Sequence, residues 1–307
     1  MKLDAAFYDD IQNTAMPFYQ AMMAVQQQQT DPPTPHPLLM VQRGRAESPA
    51  WYMIQAAEFD PEPLSVARLR VRDIYASQTM ALALLEMMAG EKWLDRRGDD
   101  YYVTDEGREV MLRLKGRTTM LLREVTPPEN VAVVRLEGLL RRVIEASLRC
   151  PNPPGSWCLR YSHRRAPDAD APLLARLLHM ISDFNAFRDD AHMAAWQPLG
   201  VMGYEWEAFS LVASGGANTA VSLFNELAYR GYSREDFAAA LHQLAERGWL
   251  VTEGETYHLT EAGRITQAEA ERRTDDYFYV PWHIALNGEE IEETIELLRV
   301  LREEWQP

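Results

Sequence analysis

Cysteine is nearly absent: the 307 residues hold two, Cys150 and Cys158, on either side of the loop PNPPGSW. Two thiols at that spacing match no zinc pattern, and an intracellular chain keeps them reduced. Neither a metal knot nor a disulfide framework is expected, and both read as small semi-buried residues. Long apolar runs are absent as well. No stretch approaches eighteen consecutive apolar residues, and the opening MKLDAAFYDD is acidic rather than basic and then apolar. A membrane-spanning helix and a secretory leader are not expected, so the chain reads as a soluble cytoplasmic protein. There is no GxGxxG, no P-loop and no GxSxG elbow, which points to no cofactor and to no enzyme. Positive charge is also scarce. Lys and Arg number 31 against 46 Asp and Glu, a net charge of −15. Nucleic-acid binders draw affinity from neutralising phosphates, so contact with DNA would need a local basic patch.

Apolar residues are plentiful, 47% of the chain and ample for packed cores, and the sequence resembles itself. One gapless offset pairs Ser77 with Ser233, Leu85 with Leu241, Trp93 with Trp249 and Leu94 with Leu250. It continues through Gly98 and Gly254, Tyr101 and Tyr257, Thr104 and Thr260, Gly107 and Gly263, and Arg108 and Arg264. Ser77 and Ser233 suit helix N-caps. The helices that follow, about 78–91 and 234–247, carry apolar stripes at Leu85 and Met88 and at Leu241 and Leu244. Each then runs into a two-strand hairpin with Gly98 or Gly254 at the tip, where a positive φ is needed. Thr104 and Thr260 end the hairpins and cap a further helix. Upstream helices are expected at 64–75 and 217–231, and first helices at 49–59 and 204–213.

This order, with YYVTDEGR and YHLTEAGR at the wing-to-helix junctions, resembles the winged helices of the MarR type, whose junction reads hydrophobic-LT-x-x-G-R. The resemblance spans roughly 50–120 and 204–276. A second one, over FRDDAHMAAWQPLGVMGYEWEAF, YSREDFAAALHQLAERGWL and RRTDDYFYVPW, is to the actinobacterial SalK family and implies lineage rather than chemistry. The fold expected is mainly α with small β-hairpins, two winged helix-turn-helix domains joined by helical segments. The divisions fall at 1–37 (helix 1–29 and the Pro-rich linker 30–37), 38–125, 126–200, 201–276 and 277–307. Amphipathic helices are expected over 129–149, 171–196 and 289–305. Their apolar stripes pack on one another or on a second subunit, which leaves a homodimer open.

The MarR resemblance implies a bacterial transcriptional regulator that binds double-stranded DNA. Its third helix would enter the major groove and its wing would touch phosphate. Residues 64–123 hold eleven Lys and Arg against nine Asp and Glu, whereas 204–275 hold six against twelve. The first copy is therefore the DNA candidate, with Ser77, Gln78 and Thr79 in the groove and Arg96 and Arg97 on phosphate. The alternative for those arginines is a solvated wing paired with Asp99 and Asp100. Both copies depart from the resembling families where base-reading side chains are expected, with Ala81, Leu82 and Ala83 in one and Ala238 and Ala239 in the other. This keeps open a protein-interaction scaffold that has lost DNA readout. A ligand-sensing or enzymatic site at the helical connector is the third reading. His179 and Asp183 share a helix face, and Asp189, His192 and Trp196 follow, although the spacing matches no named metal motif. Trp196, Tyr204, Trp206, Tyr277, Phe278, Tyr279 and Trp282 would line an effector pocket for a small molecule or form the core between the copies.

Overall fold

The computed structural model describes residues 3, 5–28, 49–127 and 132–305. The Pro-rich linker and residues 129–131 lie outside them. Where one N-terminal helix is expected there are two, α1 (Ala5–Asn13) and α2 (Ala15–Gln27). At the break, Thr14 turns its hydroxyl back onto the Asp10 carbonyl. The first block follows: α3 (Pro49–Ala57), α4 (Val66–Arg72), α5 (Gln78–Gly90), the hairpin β1 (Leu94–Arg97) and β2 (Asp100–Val103), then α6 (Asp105–Arg123). Next come α7 (Val133–Arg149), α8 (Trp157–His163) and α9 (Leu173–Trp196). The second block contains α10 (Gly203–Ser214), α11 (Ala220–Leu227), α12 (Arg234–Glu246), β3 (Leu250–Glu253), β4 (Thr256–Leu259) and α13 (Glu261–Ala285), and α14 (Gly288–Glu304) closes the described chain. The protein is thus mainly helical with two small antiparallel hairpins, as expected.

Corresponding hairpins have the same register, Leu94 opposite Val103 and Leu250 opposite Leu259. Their tips hold Gly98 at φ 68° and Gly254 at φ 64°, the left-handed region where a side chain is disfavoured. The junction after each wing explains the shared T-x-x-G. Thr104 Oγ1 donates to the carbonyls of Lys92 (2.7 Å) and Trp93 (3.1 Å) and accepts from the Gly107 amide at 3.0 Å. Thr260 does the same with Gly248 (2.6 Å), Trp249 (3.1 Å) and Gly263 (3.0 Å). One hydroxyl therefore caps a helix and ties it to the start of the wing. A Cβ on Gly107 would stand 2.4 Å from the Trp93 carbonyl oxygen, and one on Gly263 2.2 Å from that of Trp249.

Among the described residues, three cores hold the chain together. Met53, Phe59, Leu64, Leu85 and Met88 centre the first block. Trp206, Phe209, Phe237, Leu241 and Leu244 centre the second. The third and largest is built from α1, α2, α7, α9, the ends of α6 and α13, and α14. Each block's last helix leaves its own core and enters this common one: Leu121 and Leu122 from α6, and Phe278 and Trp282 from α13. The division drawn at 276/277 thus falls inside one continuous helix. The stripes of α7 (Leu136, Leu140, Val143, Ile144) and α14 (Ile291, Ile295, Leu298, Leu301) are buried within the chain. Among the described residues no helix is long and apolar enough to cross a membrane.

Candidate functional site

The third helix of the first block does not begin in open solvent. Ser77 caps α5 by accepting from the Met80 amide at 3.0 Å, but it is only 7% exposed. Its own amide donates to the Arg230 carbonyl of the second block at 2.8 Å. A Cβ on Gly231 would lie 2.6 Å from Ser77 Oγ and 2.8 Å from Met80 Cβ, so the two backbones touch there. The Arg230 guanidinium bridges Asp73 (2.9 Å) and Glu207 (2.7 Å) and lies over the rings of Tyr75 and Tyr229. Burial opposes the charge on Arg230, but the two carboxylates more than compensate and its pKa rises, while burial pushes that of Glu207 up. Gly203 completes the contact, since a Cβ there would sit 2.4 Å from the Ile74 carbonyl oxygen. The connections that precede the third helix in each block, 73–77 and 229–232, are clasped together. Ser77 was expected to face a groove and instead lies in this seam, whereas Gln78 and Thr79 are exposed.

On the first wing, Arg96 pairs with Glu86 of α5 at 2.6 Å and Arg97 with Asp95 at 2.8 Å, so the expected partners Asp99 and Asp100 are replaced. Their guanidinium groups lie over Tyr101 and Tyr102 and remain 52% and 65% exposed. The cross-wing register sets Arg96 opposite Tyr101, which brings the arginine back over its own helix rather than outward. In the second block, α12 opens with Ser233 and Asp236 capping each other, then offers Glu235, paired with Arg234, and Glu246 beside His242.

The acidic and histidine residues expected near 179–196 are not one site. Asp183, 1% exposed, accepts from Ser162 at 2.7 Å, meets His163 Nδ1 at 2.7 Å and lies 3.3 Å from His179 Nε2. Burial would raise its pKa, but these partners, His179 first, hold it far below the usual carboxylate range. His163 is raised in turn by its bond to Asp183. Asp189 instead pairs with Arg72 of the first block at 3.3 Å. His192 faces the second block: its Nε2 accepts from Trp206 Nε1–H at 2.9 Å, so its proton sits on Nδ1, 3.2 Å from Thr274 Oγ1. Burial and then Arg188 hold its pKa down at about 4, and the ring is neutral. Trp196 is buried and stacked on Trp206. Among the described residues no group of three or more His, Cys, Asp or Glu side chains is arranged to hold a metal ion.

The aromatic residues divide similarly. Trp196 and Trp206 belong to the second block's core, and Phe278, Tyr279 and Trp282 to the common one, with Tyr204 and Tyr277 packed beside them. They fill two separate cores. Sequence reasoning did not reach Asp73, Glu207, Arg230, Ser162 or His163. An i,i+4 relation exposes His179–Asp183, but nothing local marks the clasp, whose Arg230 and Asp73 stand 157 residues apart.

Two helix–helix–helix–hairpin–helix blocks stand on a common helical core. A family model described as a helix-turn-helix family matches residues 108–306, more than half of the chain, and the protein belongs to that family. The match begins after the first wing, so Ser77, Gln78, Thr79, Arg96 and Arg97 lie outside it. No curated protein and no solved structure matches the chain.

Proposed function

We propose that this helix-turn-helix protein is a regulatory scaffold whose two blocks are fixed to each other and meet protein or small-molecule partners, rather than a reader of base sequence. The observation that carries this reading is the bond from the Ser77 amide to the Arg230 carbonyl. The N-terminal end of a recognition helix is the part that enters the major groove, and here its N-cap residue, Ser77, is covered by the second block while Gln78 and Thr79 stay exposed. The outer face of α5 supports the same conclusion, because it offers Leu82, Ala83 and Glu86 and no basic residue. On α12 the exposed carboxylates would repel phosphate. This reading assigns the protein no reaction. A mobility-shift titration with random duplex at low salt tests it. No shift is expected; a shift that weakens steeply with salt, and disappears on combining Arg96→Glu with Arg97→Glu, overturns it.

One observation favours a second reading, a transcriptional regulator that contacts double-stranded DNA through the first block. Arg96 and Arg97 are more than half exposed and held by surface ion pairs. Such pairs are worth about 0–1 kcal/mol, which phosphate can outcompete. Gln78 and Thr79 would then be the remaining polar contacts of α5, with Ser77 withdrawn. The same titration separates the two readings.

A further inference from the structure

A cavity of about 360 Å3 opens beside the clasp, between α4, the loop before α8 and the end of α9. That volume lies within the range of small-molecule sites, which are mostly apolar with a few placed polar groups. Val71, Trp157 and Met202 reach it from three separate segments and are 37%, 54% and 53% exposed. Ile74 and Met193 complete the apolar wall. The cation in the lining is Arg70, half-buried, whose Nε donates to the Ala76 carbonyl at 3.0 Å. Among the described residues Arg70 forms no ion pair, though its guanidinium also meets the Tyr232 hydroxyl. The Asp190 carboxylate also borders the cavity, but both its oxygens accept backbone amides at 2.9 Å, from Cys158 and Leu159. A guanidinium with no carboxylate paired to it, set beside apolar side chains, is matched by an anionic group carried on an apolar body.

We propose that this cavity is a binding site for a small apolar monoanion, its charged group on Arg70 and its body against Val71, Trp157, Met193 and Met202. The site does not depend on whether either block touches DNA. Ile74 lines it and also supplies the carbonyl against which Gly203 packs, so an occupant sits on the seam between the blocks. The test uses the full chain and two fluorescent probes with the same aromatic body, 8-anilinonaphthalene-1-sulfonate and the neutral N-phenyl-1-naphthylamine. The sulfonate is expected to bind saturably at one site, about tenfold or more tighter than the neutral probe. Arg70→Gln is expected to remove that preference. Val71→Trp, at an exposed position that fills the cavity, is expected to abolish binding of both probes with an unchanged melting temperature. Unsaturable binding, equal affinity for the two probes, or undiminished binding by the folded Val71→Trp variant overturns the proposal. Should Arg70→Gln fail to fold, the Val71→Trp arm and the probe comparison still decide it.

Discussion

In the first block Thr104 and Gly107 lock the wing to α6, and in the second Thr260 and Gly263 do so with matching distances. The third helices then part company. The N-cap of α5, Ser77, is buried against Arg230, while the start of α12 is exposed and acidic. Neighbouring sequence shows the same split. The shared Arg108 reaches Asp60, but among the described residues its counterpart Arg264 has only Glu261 of its own helix as an ion-pair partner. Residues that close a block on itself match between the copies, and residues that face outward do not. Repetition in a chain is therefore evidence about architecture first, and each copy's role has to be read from what its outer face meets.

The largest expected effect comes from breaking the clasp. Arg230→Ala leaves Asp73 and Glu207 half-buried together, and urea unfolding should show a loss of about 2–4 kcal/mol. A loss below about 0.5 kcal/mol, the scale of an ordinary surface substitution, would mean that the blocks do not depend on one another. Gly107→Ala and Gly263→Ala test whether the two wing joints are equivalent. Each drives a Cβ into a tryptophan carbonyl and should cost about 1–3 kcal/mol, with similar values in the two blocks. A large cost in one block alone would break the equivalence.

Acid should act on the second block's attachment through His192. Its pKa of about 4 in the fold lies below the ordinary 6.5. The unfolded chain takes up a proton between those values and the folded chain does not. The stability involved is full above about pH 6.5 and declines as pH falls toward 4. Between pH 7 and 5 that is about 2 kcal/mol, and His192→Gln should lower the measured decline by about that much. An unchanged decline would place the acid sensitivity elsewhere. The smallest effect concerns Lys92, which adopts φ 63° where the second copy has Gly248 at φ 76°. Lys92→Gly should stabilise the protein by about 0.5–1 kcal/mol and Gly248→Lys should destabilise it, both visible as shifts in urea midpoint.

How much of this was legible depended on how local each determinant is. Hairpin tips, caps and T-x-x-G act over a few residues, so the repeat and its hairpins can be read directly from side chains in order. The apolar stripes of α7 and α14 were legible as buried faces, though not what they face, because that partner comes from elsewhere in the chain. Helix α8 was hidden behind a Pro-rich loop. It is only seven residues long, and what holds it is tertiary: Asp190 on the amides of Cys158 and Leu159, and Asp183 on Ser162 and His163. For the candidate site, composition separated the first block from the second by charge, but could not show that Ser77 is covered or that His192 and Asp189 face opposite blocks.

The clasp joins the same positions of the repeat, 73–77 against 229–232, as a two-fold dimer would join one patch to its own copy. Inside one chain that pairing needs no second molecule and does not depend on concentration. It also frees the two sides from having to remain identical, since a substitution alters one face and not both. Ser77 has become an interior residue while Ser233 has stayed at the surface. Any association between two molecules must therefore use other surfaces, because the patch that would pair them is already occupied.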